Sequence, residues 1–497
     1  MMFRSILKIA FLHNSKVLLG VGTAFLVSTR IAAAIGGLDK PPAPSAPHTV
    51  TFAEPKETKL ENGLRVIVAE RPGLPILAAE LLVRTGSEVD PEGRAGAASM
   101  TGSLLTKGTT KMSAPEIASA IESLGGEIDS GARWDSSSAT VVVMSDKGEP
   151  ALRILSDVVL HPAFKQEEID RLKNQTLDGL RVVLQQPGAL ARYVTDRVVF
   201  GTSEYGHAAS GTMESVRAIK RDDLVKLYQT YYRPENAALI FAGDITLEQG
   251  KQYAEQFFGD WKADPASSKE PDSLKPDEWQ PENVVVDMPE AGQAAVTVAK
   301  PSIKRNSPDY YTGLVVNAAL GTGFVSRLNR EIRIKRGLSY GARSAIDSRR
   351  SGGSFLATAQ TKNPSAPEVA GLLKSELKRL STDPVKGEEL KSRQALLTGG
   401  YARNLETNRG LVAQISALVT YDRPLDTVNR FIPTINSVTA EDVSAFAGKY
   451  FDSPPSLIIV GKAADFLETL KKDVSDVRVI PQKDLDLNRA DLVRAKR

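Results

Sequence analysis

The chain has 497 residues, of which 41% are hydrophobic and 25% are charged. At roughly 100 to 200 residues per domain, this length predicts two to four domains, and the composition argues against a disordered, fibrous or multi-span membrane protein. The absence of cysteine excludes disulfides, thiolate metal sites and cysteine nucleophiles. The formal net charge is only +3, and lysines and arginines alternate with acids, so we expect no nucleic-acid surface.

Residues 1–34 have the pattern of an export signal. Basic residues precede an apolar run over 17–27, and the small residues at 32–34 offer a cleavage site. The apolar run is shorter than the roughly 20 residues that a membrane-spanning helix needs. We therefore predict a cleavable signal peptide and a periplasmic location in a Gram-negative bacterium, with an uncleaved membrane anchor as the alternative.

Two stretches rich in proline and polar residues divide the rest of the chain. Residues 35–56 predict a flexible segment, and residues 263–283 predict a linker. They bound a first half over 57–262 and a second half over 284–475, and we assign 476–497 to a C-terminal tail.

Strands and helices of the first half are predicted in clusters. Apolar β-type runs predict strands over 64–70, 76–86 and near 126–145, and helical periodicity predicts helices over about 94–106, from 113, and over 149–159, 166–186 and 190–200. The first strand follows the turn signal Asn62-Gly63, and Ser113 and Glu116 have the spacing of a capping box. Because the elements do not alternate strictly, the pattern favours an α+β fold.

The two halves look like copies of one unit. Residues 219–243 read as a helix followed by an apolar strand that ends in glycine, and residues 438–461 repeat this pattern at an offset of 219. Residues 162–169 match 383–390 at an offset of 221, and each opens a long helix with paired glutamates. Two matches at nearly one offset predict a tandem duplication of about 220 residues.

Five segments occur in the same order as landmarks of a known family. They are LENGLRVIVAERP (60–72), GAASMTGSLLTKGTT (96–110), ESLGGEIDS (122–130), EEIDRLKNQTLDGL (167–180) and GTGFVSRLNREIRIKRGLSYGA (321–342). The chain resembles the M16 zinc peptidases, which include pitrilysin, insulin-degrading enzyme and the mitochondrial processing peptidase. The resemblance covers residues 57 to 462 and implies two M16-type α+β halves joined by a linker.

The zinc motif of that family is missing. Catalytic members carry His-x-x-Glu-His on a helix, where two histidines bind zinc and the glutamate activates water. The matching positions here are Ser99, Gly102 and Ser103, and a third ligand, a glutamate about 76 residues downstream, falls on Gly179. A serine hydroxyl is a poor zinc ligand and glycine has no side chain, so the resemblance implies a degenerate site with no metal in this chain.

A second set of family residues is present. Members of the family have an arginine and a tyrosine, seven residues apart, that contact substrate beside the zinc of the other half, and here Arg333 and Tyr340 have that spacing. An arginine offers fixed donors to peptide carbonyls, and a tyrosine hydroxyl can donate to an oxygen that gains charge during hydrolysis. The alternative is a surface arginine and a core tyrosine with no part in catalysis.

A chain that keeps Arg333 and Tyr340 but lacks the metal-binding residues resembles one subunit of an enzyme whose active site is shared between two subunits. In bacterial two-subunit members, one subunit carries the zinc motif and the other carries the arginine and tyrosine. The resemblance implies a heterodimer or larger complex in which this chain holds no cofactor, a homologous partner with His-x-x-Glu-His holds zinc, and peptides are the substrates. The alternative is a non-enzymatic scaffold, similar to the core subunits of respiratory complex III.

Overall fold

The computed structural model describes residues 51–262 and 279–495. The predicted signal peptide, most of the predicted flexible segment and most of the predicted linker lie outside these residues. Within the described ranges, each half of the chain builds one six-stranded sheet. No helix in these ranges has both the length and the apolar composition to cross a membrane.

The first half forms a mixed sheet with helices. Its strands are β1 (Lys56–Lys59), β2 (Arg65–Glu70), β3 (Ile76–Val83), β4 (Glu127–Ala132), β5 (Ser137–Met144) and β6 (Ala237–Gly243). Its helices are α1 (Ala97–Leu104), α2 (Ala114–Ser123), α3 (Gly148–Leu160), α4 (Gln166–Val183), α5 (Pro187–Phe200), α6 (Met213–Ala218), α7 (Arg221–Tyr231) and α8 (Leu247–Phe258). The strand order is β1-β2-β6-β3-β5-β4, with β2 and β6 parallel and the other pairs antiparallel. Strand β4 is therefore a free edge.

Local sequence signals explain the starts of several elements. Gly63 has a φ of +94°, which only glycine adopts readily, and the Asn62 side chain accepts the Leu64 N–H at 3.1 Å. The predicted capping box of α2 is present, because the Glu116 carboxylate accepts the backbone N–H of Ser113 at 2.7 Å.

The second half repeats this architecture. Its strands are β7 (Asn283–Asp287), β8 (Ala294–Pro301), β9 (Ala342–Ser348), β10 (Gly353–Thr361), β11 (Ser456–Gly461) and β12 (Val477–Pro481). Its α-helices are α9 (Tyr310–Gly321), α10 (Ala366–Thr382), α11 (Gly387–Leu405), α12 (Asn408–Thr420), α13 (Thr427–Ser437), α14 (Ala440–Phe451) and α15 (Leu467–Asp473). A π-helical turn spans Asn329–Lys335. The strand order is β12-β7-β11-β8-β10-β9, so β9 is a free edge.

The sheet topologies confirm the predicted α+β duplication. Strands β2, β6, β3, β5 and β4 have the same neighbours as β7, β11, β8, β10 and β9, and the matching pairs β2/β6 and β7/β11 are both parallel. Only the outermost strand differs. In the first sheet it is β1, antiparallel and early in the chain, whereas in the second it is β12, parallel and late in the chain.

The second half extends past the boundary predicted at residue 475. Strand β12 pairs with β7 along its whole length, and the buried side chains of Leu485 and Leu492 continue the apolar packing. The segment assigned to a C-terminal tail therefore includes a sheet strand, and its main chain forms hydrogen bonds with the outer edge of β7.

The halves exchange helices. One face of the first sheet, with Ile67 and Ile240, packs against α11 and α12 of the second half, where Ile415 is fully buried. One face of the second sheet, with Ile458, packs against Val194 and its neighbours on α5 of the first half. Strands β6 and β11 are apolar along their whole length and buried at every position, so both faces of each sheet need cover.

A buried polar cluster joins the halves at the turn between β9 and β10. The guanidinium of Arg349 is buried over the ring of Trp134, 4.2 Å from its centroid. The neighbouring Arg350 reaches the first half and places Nη1 3.3 Å from Glu88 Oε1. Burial and the Asp135 carboxylate raise the pKa of Glu88 to about 8, although Arg350 opposes this shift. The second half thus inserts two arginines into the polar interior of the first.

The exchanged packing predicts that one cavity in α12 destabilises both halves together. Ile415→Ala removes a fully buried side chain that covers the first sheet, and we expect a loss of about 2 to 5 kcal/mol in the free energy of unfolding. Urea unfolding followed by circular dichroism measures this loss. Leu74→Ala, at a side chain that is 62% exposed, is the control and should change the midpoint little. A two-step curve in which only the second half is weakened would contradict the exchange.

Candidate functional site

The structure places the degenerate metal positions on two neighbouring helices of the first half. Ser99, Gly102 and Ser103 lie on α1, Gly179 lies on α4, and the two helices pack together. Ser99 and Ser103 are one helical turn apart and half-buried, whereas Gly179 is exposed. Two hydroxyls and two absent side chains do not fit a zinc ion. Within residues 51–262 and 279–495, no group of three or more acidic or histidine side chains could hold a metal.

Gly102 shows why a glutamate does not fit on this helix. A Cβ atom built at Gly102 would lie 2.6 Å from the carbonyl carbon of Gly131 and 2.8 Å from its oxygen. Gly131 belongs to β4, so main chain fills the volume in which the side chain of a catalytic base would begin. Just past the end of α1, the hydroxyl of Thr106 lies 3.2 Å from that of Ser130 on β4. Close packing of α1 on β4 is thus coupled to the loss of the metal site.

The start of α1 is fixed by an aspartate that the sequence did not single out. Asp90 accepts the backbone N–H groups of Gly96 and Ala98, each at 2.7 Å, and its Oδ2 lies 3.2 Å from His207 Nε2. The His207 ring also packs edge-to-face on Trp134 at 5.2 Å. Since anions stabilise a helix N-terminus, this carboxylate and histidine hold α1 in place and do not form a metal centre.

The second candidate site is the segment that carries Arg333 and Tyr340. Arg333 lies on the π-helical turn, and its guanidinium carbon is 4.6 Å from the centroid of the Phe324 ring. Tyr340 follows in a loop before β9 and is 91% exposed, which excludes the alternative of a core tyrosine. Phe324 is itself 57% exposed, so an arginine and two aromatic side chains are presented to solvent together along this segment.

Asn329 ties the parts of this segment together, and sequence reasoning missed it. Its Nδ2 donates to the carbonyl of Gly323 at 2.9 Å, and its Oδ1 accepts the N–H of Ala342 at 3.0 Å. The hydroxyl of Thr361 on β10 donates to the carbonyl of Leu338 at 2.7 Å. These bonds fix the main chain on both sides of Tyr340. No motif in the sequence marks Asn329 for this role, because its contacts with Gly323 and Ala342 form only in the folded segment.

The donors of this segment are available to a ligand. Arg333 makes no ion pair with any carboxylate of the described residues, and its contact with Phe324 leaves the N–H groups free to bind oxygen. The segment can therefore bind carbonyl or carboxylate oxygens.

Comparison with known proteins relates both halves to one family. A profile described as insulinase (peptidase family M16) matches residues 65–209, and one described as peptidase M16 inactive domain matches residues 218–397. The chain is 24% identical to an uncharacterised zinc protease of Streptomyces coelicolor, over 82% of this chain and 90% of the relative. It is also 24% identical to a non-peptidase homolog of Helicobacter pylori, over 69% of this chain and 78% of the relative.

A solved structure supports the same relation. The crystal structure of a peptidase M16 inactive domain from Pseudomonas fluorescens superposes with a TM-score of 0.76 and 26% sequence identity. The match covers 82% of this chain and 98% of that protein.

Two glycine substitutions test the packing at the degenerate site. In Gly102→Ala the added methyl group would clash with the main chain of β4, and we expect a loss of about 1 to 3 kcal/mol in the free energy of unfolding. Gly179→Ala is the matched control, since it lies in a helix with open space around the added atom and should stabilise by roughly 0.5 to 1 kcal/mol. Chemical denaturation measures both. Equal stability of the two variants would show that α1 does not press on β4.

Proposed function

Since this chain belongs to peptidase family M16, we propose that it is the subunit of a two-subunit zinc endopeptidase that holds no metal. In this proposal the chain supplies Arg333 and Tyr340 to an active site whose zinc is bound by a homologous partner with the His-x-x-Glu-His motif. The chain alone is then inactive, and peptides are the substrates. The observation that carries the proposal is the exposed, firmly held Tyr340 in a chain whose own metal positions are closed.

The exposure of Tyr340 supports a role outside the chain. Tyrosine side chains bury most of their surface in folded proteins, and exposed aromatic groups on an ordered frame often mark a contact surface. Asn329 and Thr361 hold the loop by hydrogen bonds, so the side chain is presented on a fixed main chain. A ligand therefore meets it with little loss of backbone entropy.

The chemistry of the pair suits peptide hydrolysis beside a partner's zinc. Zinc bound by the partner would supply the activated water. The Arg333 guanidinium can bind carbonyl oxygens of the peptide before and during the reaction, because it has no competing carboxylate among the described residues. The Tyr340 hydroxyl can donate a hydrogen bond to the oxygen that gains negative charge as the carbonyl is attacked.

A scaffold without proteolytic activity is the second candidate function. The non-peptidase homolog of Helicobacter pylori, at 24% identity, shows that the family includes chains described in this way. The tight contact of Gly102 with β4 agrees with either role, since neither role needs a metal site in this chain. The two candidates differ in whether Arg333 and Tyr340 are needed for peptide cleavage.

Substitutions of the pair separate the two candidates. In a complex with the wild-type partner, we expect Tyr340→Phe to lower turnover by roughly 10² to 10³, because one donor to the charged oxygen is lost. Arg333→Ala should raise KM and lower kcat, because it removes binding that exists before and during the reaction. Cleavage of unstructured peptides is measured after complex formation has been confirmed by size.

The control for these substitutions removes a hydroxyl elsewhere. Tyr253→Phe on α8, in the first half, should leave both assembly and turnover unchanged. Rates near wild type for both Tyr340→Phe and Arg333→Ala, with the complex intact, would favour the scaffold.

We also propose that the pair of subunits acts in the periplasm. The pattern of basic residues, apolar run and small residues over 1–34 supports export. N-terminal sequencing of the protein from fractionated cells is expected to find a mature chain that begins near residue 35 in the periplasmic fraction. A full-length product in the cytosol would contradict export.

A further inference from the structure

The segment around Tyr340 is strongly basic. Residues 322–343 contain six lysines or arginines and one acid, although the whole chain is nearly balanced in charge. A local excess of positive charge attracts anionic ligands where neighbouring acidic side chains do not neutralise it.

Half of these cations have partners within the protein. The carboxylate of Glu331 contacts Lys335 at 2.5 Å and Arg336 at 2.7 Å. Arg327 is buried and pairs with Glu389 at 2.9 Å. These three side chains are therefore held in the local structure.

The other three cations have no acidic partner. Arg330, Arg333 and Arg343 are exposed, and none forms an ion pair within residues 51–262 and 279–495. We call these three residues the arginine group. Burial lowers the pKa of Arg393, and the charge of Arg330 lowers it further although Glu389 opposes the shift, so Arg330 lies near a second cation.

Apolar side chains are exposed among the same residues. Phe324, Val325, Ile334 and Tyr340 are among the large hydrophobic side chains that the described residues leave in solvent. Arg333 already lies over the Phe324 ring, which places a cation directly beside an aromatic face. A ligand for this surface therefore needs negative charge next to apolar groups.

We propose that this surface selects acidic peptides, in which a carboxylate adjoins an aromatic or aliphatic residue, as the substrates of the active site completed by Arg333 and Tyr340. The inference rests on the proposed function and specifies its substrate class. The planar guanidinium of arginine binds a carboxylate through two parallel hydrogen bonds, which fixes orientation as well as charge. Arg330 and Arg343 act in substrate binding and not in the chemical step. The carboxylate comes from a side chain of the peptide.

Matched peptides test the preference in the complex with a wild-type zinc-motif partner. The peptides share one sequence with an amidated C-terminus and carry Glu, Gln or Lys at the positions flanking the cleaved bond. We expect kcat/KM for the Glu peptide to exceed that for the Gln peptide by about 3- to 10-fold, since exposed charge pairs contribute modestly. The ratio should fall as the salt concentration rises from 50 to 500 mM, because salt screens exposed charges.

Two double variants link the preference to the arginine group. Arg330→Gln with Arg343→Gln should bring the ratio of Glu to Gln peptides close to one. Arg153→Gln with Arg171→Gln, which removes two exposed charges on α3 and α4, is the matched control and should leave the ratio unchanged. An unfolding curve for each variant checks that the fold is kept.

The outcomes separate this inference from the proposed function. Equal cleavage of the three peptides, or a preference that survives the Arg330 and Arg343 substitutions, overturns the inference while peptide cleavage still supports the function. Cleavage of a Gln peptide with a free C-terminal carboxylate as fast as that of the amidated Glu peptide would assign the surface to chain ends and overturn the side-chain source.

A binding measurement decides the case in which no peptide is cleaved. Fluorescence anisotropy of the labelled Glu and Gln peptides with this chain alone reports on the surface without catalysis. Tighter binding of the Glu peptide, lost in the Arg330 and Arg343 variant, would support the surface although the proposed function had failed. Equal binding of both peptides, or binding of anionic lipid vesicles that the same variant abolishes, would overturn it.

Discussion

The exchange of helices between the two halves is the constraint on which the rest of the structure depends. The central strands β6 and β11 are buried at every position, so neither sheet can leave a face to solvent. Each half covers only one face with its own helices, and α5, α11 and α12 cross to cover the other. A half taken alone would expose a wide apolar face, which makes the pair of halves the unit of folding.

Polar contacts across the halves add orientation to this apolar packing. Arg349 and Arg350, at a turn of the second sheet, are inserted among Trp134, Glu88 and Asp135 of the first half. A buried charge without a partner lowers the stability of the fold, and other arrangements of the two halves would leave these charges unpaired. The same turn connects β9 with β10, and β9 begins just after Tyr340. The loop with Tyr340 therefore leads directly into a strand whose other end is anchored in the first half.

The two candidate sites differ in whether side chains are accessible to a ligand. At α1 the helix approaches β4 so closely that Gly102 meets main chain, and the loss of a metal site is coupled to tighter packing. At the loop before β9 the main chain is held by Asn329 and Thr361 while the side chains remain in solvent. A chain with a filled site in one half and a presented pair in the other has the features of a complementing subunit, which is why we favour that role over a scaffold.

The sequence by itself determined the α+β class, the duplication and most elements of the first half, because periodicity, turn residues and caps such as Ser113 with Glu116 are local signals. It also identified the positions of Ser99, Gly102, Ser103, Gly179, Arg333 and Tyr340 through a family resemblance. Only the tertiary structure decided that β12 belongs to the second sheet, that helices cross between halves, that Gly102 has no room for a side chain and that Asn329 positions the loop. These features depend on contacts between residues far apart in the chain, and such contacts leave no periodic or short-range pattern in a single sequence.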